Sequence, residues 1–510
     1  MELLKQILIT GRGRPAALLV LLWSLTMNML TELPPSWPSL QKPWSLVTTY
    51  FGSPFTAGRN LLFDGYQRKH PREPKSQAVT IVAIDEKSLQ TYGQWPWPRY
   101  RLAELIHALA KHQPAALGLD LYMPEPDQTS PDQVAKGLKS EHATLAHMLR
   151  RLPSHEEALV KAFHEVPTVL SAAGFDQAAY TTTAGMRTWP VQLVGADSLP
   201  TFARRFDQVL ASLPQLQAAA KGQALVSVDL DNGLVRQVPM VMNMGDQAVP
   251  NLALEMFRVA SSSGAIKTHL DDSGIAAIEV ADLTVPTLPN GNIFVHFATH
   301  KSMAPRYLSA SDVIEGHVDP QMLSGKLVLL GLTGSGLTDM RTNAIGETVP
   351  GIEIQAQVIE SLFEGRILQR PYWFKWAETL ALLIVAGGLI WYVPRPGSLM
   401  ATYLHRVPKS SLWLMLATNG LIIWIGFEIF IHTGMLFDAA SFFLIISAVM
   451  GSLVSTVLVG IDNLKKSQEA RQESVLQEAR VASDRAVLAQ LTDGQGRVPT
   501  HFGMPQQEES

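Results

Sequence analysis

The sequence predicts a membrane protein with an α/β extracytoplasmic domain, a mainly parallel sheet and four transmembrane helices, one N-terminal and three C-terminal. Three observations predict this fold class. Four long apolar segments flank residues 33–373. Within that region, apolar runs typical of buried strands alternate with segments of helical period, as in parallel α/β sheets. Charged residues make up only 17% of the chain, against about 25% in an average soluble protein.

The composition excludes several classes of protein. The 510 residues carry a net charge of −4, so there is no basic excess of the kind that nucleic acid requires, and we expect no nucleic-acid partner. The absence of cysteine excludes disulfides, thiolate metal sites and catalytic thiols. Hydrophobic residues make up 47% of the chain, which excludes a disordered protein and makes the lipid bilayer an expected partner.

The first apolar segment, residues 15–32, follows the basic residues Lys5, Arg12 and Arg14. A cleaved signal peptide is the alternative, because the apolar region is short. The residues that follow, TELPPSWPSL, contain no A-x-A-like cleavage site. This favours an uncleaved signal anchor, with residues 1–14 in the cytoplasm.

Three more apolar segments lie near the C-terminus, at residues 374–394, 411–432 and 435–461. Each approaches the ~20 residues that a helix needs to cross a bilayer. The last two are joined by the short link HTG, which predicts a helical hairpin.

Lysine and arginine in the flanking segments predict the orientation. They precede the first apolar segment, lie between the second and third, and follow the fourth, whereas the link between the third and fourth has none. Both termini are therefore expected in the cytoplasm and residues 33–373 outside. Arg370 and Lys375 oppose this orientation, but the rule is weak beside a long domain.

The outer segment begins with alternating strand and helix patterns. Residues 78–85 and 115–122 are continuous apolar runs that end near Asp85 and Asp120, and residues 99–111 have a helical period. Such runs are typical of strands that are buried on both faces.

Two later regions are less regular. The dipeptide Asn-Gly at 232–233 is a strong turn signal and predicts a hairpin-like pair of strands at 224–231 and 236–245. Residues 177–217 have weak periodicity and predict an insertion that is rich in loops.

Ordered motifs occur at both ends of the outer segment. The N-terminal part contains FDGYQRKHP, IVAIDEKSLQTYGQWPWPR and LGLDLYMPEPD, and the C-terminal part contains LSGKLVLLGLTGSGLTDM and VPGIEIQAQVIESLFEGRIL. These motifs resemble the CHASE2 domain family, which shows I-x-I-D-[DE]-x-S-L, G-x-W-P-W-P-R, x-D-x-x-F-x-E, G-K-x-V-x-I-G and P-G-x-E-x-x-A elements. Met123 stands where that family usually has Phe. The resemblance covers residues 60–461, including the three C-terminal apolar segments.

The resemblance implies a bacterial inner-membrane protein whose periplasmic residues 33–373 form a sensor domain. In this family the sensor precedes an adenylate cyclase, a histidine kinase, a Ser/Thr kinase or a diguanylate cyclase. Here only residues 462–510 follow the last apolar segment, and they contain no Walker A, H-R-D or D-F-G motif. Because such a domain needs well over about 100 residues, we expect no enzyme on this chain.

Asp85 and Asp120 are the first candidates for binding an extracytoplasmic small ligand. Both lie at the ends of apolar strands, where ligands collect in open α/β sheets. The alternative is that each caps the following turn or helix, and Ser88 lies within reach of such a cap on Asp85.

The loop Trp95-Pro96-Trp97-Pro98-Arg99 is a second candidate, because its two indoles could form an aromatic platform for a ligand. The alternative, which we favour, is a rigid lid packed over the sheet end, with Arg99 paired to an acid.

The glycine-rich residues 331–336 follow a strand, as a phosphate-binding loop would. Their spacing matches neither G-x-G-x-x-G nor the P-loop, so we interpret them as a structural turn. Asp339 lies just beyond and could join Asp85 and Asp120 in one polar cleft.

The chain offers no pattern typical of a metal or catalytic site. The histidine pairs 107/112 and 142/147 are five residues apart, unlike those of H-E-x-x-H, and G-x-S-x-G is absent. We therefore expect no catalytic residue, no metal and no cofactor.

Asn419 and Glu428 lie within the third apolar segment. Polar groups at that depth usually contact a partner on another helix. They could relay a rearrangement of the helices, or they could serve only as interhelical hydrogen-bonding groups.

Residues 462–491 are charged, rich in helix formers and free of Pro and Gly, which predicts a cytoplasmic helix. Its thin apolar stripe is typical of a weak coiled coil or of a solvated helix. Residues 492–510 are rich in Gly, Pro and Gln and are expected to be disordered.

These inferences predict a CHASE2-type sensor, a homodimer, that binds an unknown extracytoplasmic ligand and signals through its helices to a separate cytoplasmic protein. A non-catalytic envelope scaffold that recruits a partner through its tail is the alternative. An external hydrolase would need a nucleophile–base pair or a metal site, and the sequence indicates neither.

Overall fold

The structure is a computed structural model that describes residues 14–31, 47–176, 186–188, 191–227, 230–337, 339–393 and 410–493. Its description of side chains excludes residues 48, 410–411, 454–465 and 487–493. The chain divides into two compact units. One comprises Met1–Leu22, Val385–Met415 and Ile446–Ser510, and the other comprises Trp23–Ile384 and Leu416–Ile445. The signal-anchor flank 1–13 and the predicted disordered residues 494–510 lie outside the described residues.

The helices of the described residues are α1 Arg14–Thr31, α2 Ser53–Lys69, α3 Glu86–Tyr92, α4 Arg99–Ala110, α5 Pro131–Gly137, α6 Ala143–Leu149, α7 His155–Glu165, α8 Pro214–Ala219, α9 Leu252–Ala260, α10 His300–Met303, α11 Ala310–Glu315, α12 Gly351–Phe363, α13 Tyr372–Tyr392, α14 Ser410–Thr433 and α15 Ala439–Asp493. A short π-helix lies at Thr48–Gly52, and 3-10 turns lie at Ser140–His142, Ala304–Arg306 and Pro320–Met322.

The strands of the described residues are β1 Val79–Ile84, β2 Ala116–Asp120, β3 Thr168–Phe175, β4 Val191–Val194, β5 Arg205–Phe206, β6 Gln208–Leu210, β7 Gly222–Leu225, β8 Leu234–Val235, β9 Gln237–Pro239, β10 Val241–Met244, β11 Gln247–Pro250, β12 Ile266–Asp271, β13 Gly274–Val280, β14 Leu283–Pro286, β15 Asn292–Phe294, β16 Tyr307–Ser309, β17 Leu327–Leu332, β18 Met340–Asn343 and β19 Thr348–Pro350.

The largest sheet has the strand order β16-β1-β17-β2-β3-β6, and β7 also pairs with β3. The neighbours from β16 to β3 pair in parallel, as do β3 and β7, whereas β6 is antiparallel to β3. Helices α3 and α4 connect β1 to β2, and α7 precedes β3, as crossovers between parallel strands require. The smaller sheets contain antiparallel and parallel pairs, so the domain as a whole is mixed α/β.

The two faces of the largest sheet bury separate cores. Side chains alternate along β1, so Val79 and Ile81 belong to one core while Val82 and Ile84 belong to the other. The first core includes apolar residues of α9 and α12, and the second includes those of α4, α7 and α11. Helices therefore cover both faces of the sheet, which explains why its strands are continuous apolar runs.

The predicted hairpin across residues 232–233 is wrong, although the turn itself exists. Asn232 and Gly233 have φ of 52° and 81°, the left-handed conformation that such a turn requires. However, β7 pairs with β3 in the largest sheet, and β10 pairs with β11. All four residues of β7 are buried, and a strand with two buried faces is stabilised more inside a large sheet than in an isolated hairpin.

The predicted loop-rich insertion at 177–217 contains regular structure in its described part. Strand β4 pairs with β12 in a four-stranded sheet, β5 pairs with β10, and α8 precedes β7. Residues 177–185 and 189–190 lie outside the described residues.

Three of the described helices are long and apolar enough to cross a membrane, namely Arg14–Thr31, Tyr372–Tyr392 and Leu412–Thr433. Most of the fourth predicted segment, 435–461, falls within the 55-residue helix α15, which begins at Ala439. The described apolar part of α15 is Ala439–Leu453, which is shorter than a full span. The side chains from residue 466 to residue 486 in α15 are exposed.

Buried ion pairs join the segment before β1 to the rest of the domain. Arg236 binds both carboxylate oxygens of Asp64, at 3.0 and 2.9 Å. The fully buried Arg72 lies 3.2 Å from Glu364 and 3.7 Å from Glu360. Buried pairs of this kind specify one arrangement, because the loss of one partner leaves a charge without compensation.

Candidate ligand-binding site

A cleft of about 620 Å³ opens at the carboxyl ends of β17, β2 and β3, beside the first turn of α12. Ligands of open α/β sheets bind at this edge. Its lining includes the side chains of Trp95, Asp120, Phe206, Asp339, Arg341 and Gln355.

Asp120, the last residue of β2, presents a carboxylate without a partner. Within the described part of the chain its side chain makes no hydrogen bond and no ion pair. Burial, together with the negative charge of Asp339, raises its pKa from 3.8 to about 6. A carboxylate that is partly buried and unpaired costs free energy, which a cationic or hydrogen-bond-donating ligand would offset.

The first turn of α12 closes one side of the cleft, because Gly331 allows it to approach β17 closely. A Cβ placed on Gly331 would lie 2.5 Å from Ile352 Cδ1 and 3.5 Å from Asp120 Cβ. One turn along the helix, Gln355 is only 2% exposed, and its Oε1 has no hydrogen-bond partner among the described residues. Within the described part of the chain, Gln355 Oε1 is thus a second polar group of the cleft without a partner.

Asp339 reaches the cleft, as the sequence suggested, but it is already paired. Its carboxylate lies 2.7 Å from Arg341, and its side chain is 68% exposed. Arg204, also at the cleft, lies 3.0 Å from Asp176 and over the ring of Phe206 at 4.5 Å from the ring centroid. The basic groups of the cleft therefore already have acidic partners.

Only Trp95 of the tryptophan loop lines the cleft. Trp97 is buried, and its Nε1 donates to the carbonyl oxygen of Gly93 at 2.8 Å. Arg99 is also buried and lies 2.7 Å from Glu156. The contacts of Trp97 and Arg99 match the packed lid with a paired arginine that we favoured from the sequence.

Asp85 is the N-cap of α3 and is not among the residues that line the cleft. One carboxylate oxygen accepts from Ser88 N at 2.9 Å, from Ser88 Oγ at 2.7 Å and from Ser309 Oγ at 2.8 Å. Of the three aspartates that the sequence suggested for one cleft, the structure brings together Asp120 and Asp339. Asp85 takes the capping role.

The glycine-rich residues 331–336 form a turn whose donors bind within the protein. Gly334 N donates to Ile84 O at 3.1 Å, and both the backbone N and the Oγ of Ser335 donate to Glu86 at 2.6 Å. These hydrogen bonds lower the pKa of Glu86. A carboxylate thus occupies the position that a phosphate would need.

Neither Asn419 nor Glu428 lines the cleft. Asn419 is 2% exposed, and Glu428 is half-buried and lies 3.4 Å from His432, one turn further along α14. Their role in a relay remains a prediction.

An ion-pair network, which the sequence did not predict, surrounds the connector between α12 and α13. Arg370 binds Glu378 through two contacts of 3.0 and 2.9 Å, and Arg59 lies 3.6 Å from Asp438. Glu378 also accepts from the backbone N of Asp438 at 2.7 Å. The available signal was the unusual presence of acids at the ends of apolar segments, together with an arginine that opposed the predicted orientation.

Among the described residues, one group of three side chains lies close enough together to hold a metal ion. Asp312, Glu315 and His317 have potential ligand atoms within 4.8 Å of one another, but two of the three are exposed. Asp312 also lies 2.5 Å from Lys87. The group lies apart from the cleft and resembles an ordinary acidic surface.

Comparison with known families supports the sequence resemblance. The model of the CHASE2 domain matches residues 44–391, more than half of the chain, and CHASE2 is a family of sensor domains. Comparison with curated proteins and with solved structures gave no match. The matched region contains the cleft. Because the match covers more than half of the chain, the chain belongs to the CHASE2 domain family.

Proposed function

We propose that this protein is a bacterial inner-membrane sensor that binds a small extracytoplasmic ligand in the cleft beside Asp120. The observation that carries the proposal is that the Asp120 carboxylate and Gln355 Oε1, at the carboxyl edge of the sheet, have no partner among the described residues. Unsatisfied buried polar groups are costly, and they persist where a ligand satisfies them.

The proposed relay begins at α12. The first turn of this helix lines the cleft, and its C-terminal part bears Glu360, which binds Arg306 at 2.8 Å and contacts the fully buried Arg72. Six residues separate the last residue of α12, Phe363, from Arg370 in the connector, and α13 begins at Tyr372. A ligand that shifts the first turn of α12 would therefore move a rigid element that leads directly into an apolar helix.

The connector itself is held at several points. Gln369 N donates to Gly434 O at 3.0 Å, and Leu436 N donates to Gln369 O at 3.0 Å. Arg370 donates to Leu436 O at 2.7 Å in addition to its ion pair with Glu378. These bonds join the connector to the link between α14 and α15. A displacement of the connector would thus reach three apolar helices together.

In the proposed arrangement both termini are cytoplasmic, residues 33–373 are periplasmic, and the protein acts as a homodimer without catalytic activity of its own. The C-terminal part of α15 would then present its exposed Val475 and Leu476 to a separate cytoplasmic signalling protein. A ligand can shift such an assembly only through different affinities for its two states.

The relay can be tested with site-specific labels, because the chain has no cysteine. A single Val475→Cys variant of the full-length protein in nanodiscs would carry a spin label for distance measurements between protomers. Addition of a ligand found by thermal-shift screening should change the distance distribution in the wild-type background and leave it unchanged with Asp120→Asn. An unchanged distribution in both backgrounds, despite saturable binding, would contradict the relay.

An envelope scaffold is the second candidate, favoured by the exposed apolar side chains of the long helix α15. Co-purification in mild detergent, comparing the full chain with a version that ends at Lys466, separates the two. A partner that binds the intact tail regardless of Asp120→Asn supports the scaffold, and a partner whose binding depends on the cleft supports the sensor.

A further inference from the structure

We propose that the ligand of the cleft is a small organic cation, with a primary ammonium group held by Asp120 and Gln355 and an apolar stem against the aromatic wall. This inference rests on the proposed sensor function, which leaves the chemistry of the ligand open.

Two groups that line the cleft, the Asp120 carboxylate and Gln355 Oε1, are acceptors without a partner among the described residues. Within the described residues, the Asp120 carboxylate has neither a hydrogen bond nor an ion pair, and the buried Gln355 Oε1 has no hydrogen bond. An ionised carboxylate can only accept hydrogen bonds, and an amide oxygen also accepts. The group that satisfies both must therefore donate. A primary ammonium offers three donors and no acceptor, and it also neutralises the carboxylate.

The two arginines of the cleft already have acidic partners, which argues against an anionic ligand. Arg341 donates to Asp339 through both Nε and a terminal nitrogen, at 3.1 and 2.7 Å. Arg204 donates to Asp176 at 3.0 Å. An anion would have to displace these carboxylates and would also meet the unpaired charge of Asp120.

The N-terminus of α12 could favour an anion, but its positive end is already compensated. The backbone N of Gly351 donates to Asp339 O at 2.9 Å. Glu353 lies in the first turn and is fully buried, and its carboxylate binds Tyr307 at 2.6 Å and His300 at 2.5 Å. An acid in the first turn offsets the helix dipole, so the dipole does not require an anionic ligand.

The remaining wall suits the stem of an organic cation. Trp95, Phe175 and Phe206 line the cleft, and Phe206 already lies under the guanidinium of Arg204. Aromatic faces bind both hydrocarbon and cationic groups favourably. A primary amine on a short aliphatic or aromatic stem therefore matches both the polar and the apolar part of the cleft.

The test uses the full-length protein in detergent micelles, in phosphate buffer because amine buffers would compete. Isothermal titration compares phenethylamine with its neutral analogue 2-phenylethanol and with the anion 3-phenylpropionate. We expect saturable binding of the amine, at least tenfold tighter than that of either analogue. Equal affinity for the alcohol, preference for the carboxylate, or no amine binding up to millimolar concentrations would overturn the proposal.

Three variants locate the binding. Asp120→Asn should weaken amine binding at least tenfold, and Gln355→Met should weaken it several-fold. Asp85→Asn is the matched control, because Asp85 caps α3 and does not line the cleft, and it should change the affinity less than threefold. Amine binding that survives both Asp120→Asn and Gln355→Met would place the amine elsewhere and refute the assignment.

The outcomes distinguish this inference from the proposed function. Tight binding of 3-phenylpropionate that depends on Gln355 would refute the ammonium ligand while leaving a ligand-binding sensor in place. Amine binding that depends on Asp120 but leaves the labelled tail unchanged would support the ammonium ligand and contradict the relay. Thermal unfolding of each variant shows whether a loss of binding reflects a loss of fold.

Discussion

Arg370 and Glu378 form a bidentate ion pair, with nitrogen–oxygen distances of 3.0 and 2.9 Å, and each side chain is about nine-tenths buried. Glu378 lies in α13, and Arg370 lies in the connector that leads to it from α12. The pair thus fixes the connector between the helix that lines the cleft and an apolar helix that is long enough to span a membrane.

The first prediction concerns this pair. Glu378→Ala leaves Arg370 buried without its partner, which should lower the free energy of unfolding by about 3–5 kcal/mol. Thermal unfolding in detergent measures the effect. Asp176→Ala, which removes the exposed partner of Arg204, is the control and should cost less than about 1 kcal/mol. Equal losses in the two variants would show that burial of the Arg370 pair has no energetic consequence.

The second prediction concerns the close approach of α12 to β17. Gly331→Ala places a Cβ 2.5 Å from Ile352 Cδ1, so the variant should be destabilised by about 1–3 kcal/mol. Ile352→Val removes that methyl group and leaves the Cβ of residue 352 at 3.4 Å from the added Cβ. The double variant should therefore recover part of the loss. A double-mutant cycle by chemical unfolding that shows simple additivity would contradict the contact.

The third prediction concerns the pH dependence of stability. The pKa of Asp120 is raised from 3.8 to about 6 in the folded state. The protonated group therefore stabilises the folded state fully below about pH 4, and this stabilisation is lost as the pH rises through 6. At about 1.4 kcal/mol per pKa unit, the loss is at most about 3 kcal/mol. Asp120→Asn should remove this dependence and make the protein more stable than the wild type at pH 8.

The affinity for an ammonium ligand should change with pH in the opposite direction to the stability, so that it increases as the pH rises. An ammonium ligand binds the ionised Asp120, so its affinity should fall about tenfold for each pH unit below 6. The other charged side chains of the cleft are Asp339, Arg341 and Arg204, which are already in ion pairs. Titration of phenethylamine between pH 5 and pH 8 measures the slope. A flat profile would show that Asp120 does not contact the ligand.

The fourth prediction distinguishes the capping role of Asp85 from the proposed ligand-binding role of Asp120. Asp85→Ala removes the N-cap of α3 and the acceptor of Ser309, which should cost about 1–2 kcal/mol of stability. Asp85→Asn keeps a capping oxygen and should cost much less. Both variants should bind the same ligand as the wild type, as measured by titration. A selective loss of binding in Asp85→Asn, with its stability intact, would return Asp85 to the site.

Local patterns in the sequence were sufficient to predict several strands and helices and the protein family. Continuous apolar runs identified β1 and β2, because strands buried on both faces admit few polar residues. A stripe of helical period identified α4, whose buried face packs on the sheet. Ordered motifs were enough to identify the CHASE2 family, which the match over residues 44–391 confirms.

Only the tertiary structure decided which polar residues meet. Asp85 and Asp120 follow similar strands, yet one caps a helix and the other faces the cleft, because the choice depends on what lies beyond each strand end. Gln355 gave no signal in the sequence, since an amide within a buried helix becomes informative only when its partners are known. The hairpin prediction across residues 232–233 was wrong for the same reason. Turn chemistry is local and was predicted correctly, whereas the partner of β7 depends on the burial offered by β3, far away in the chain.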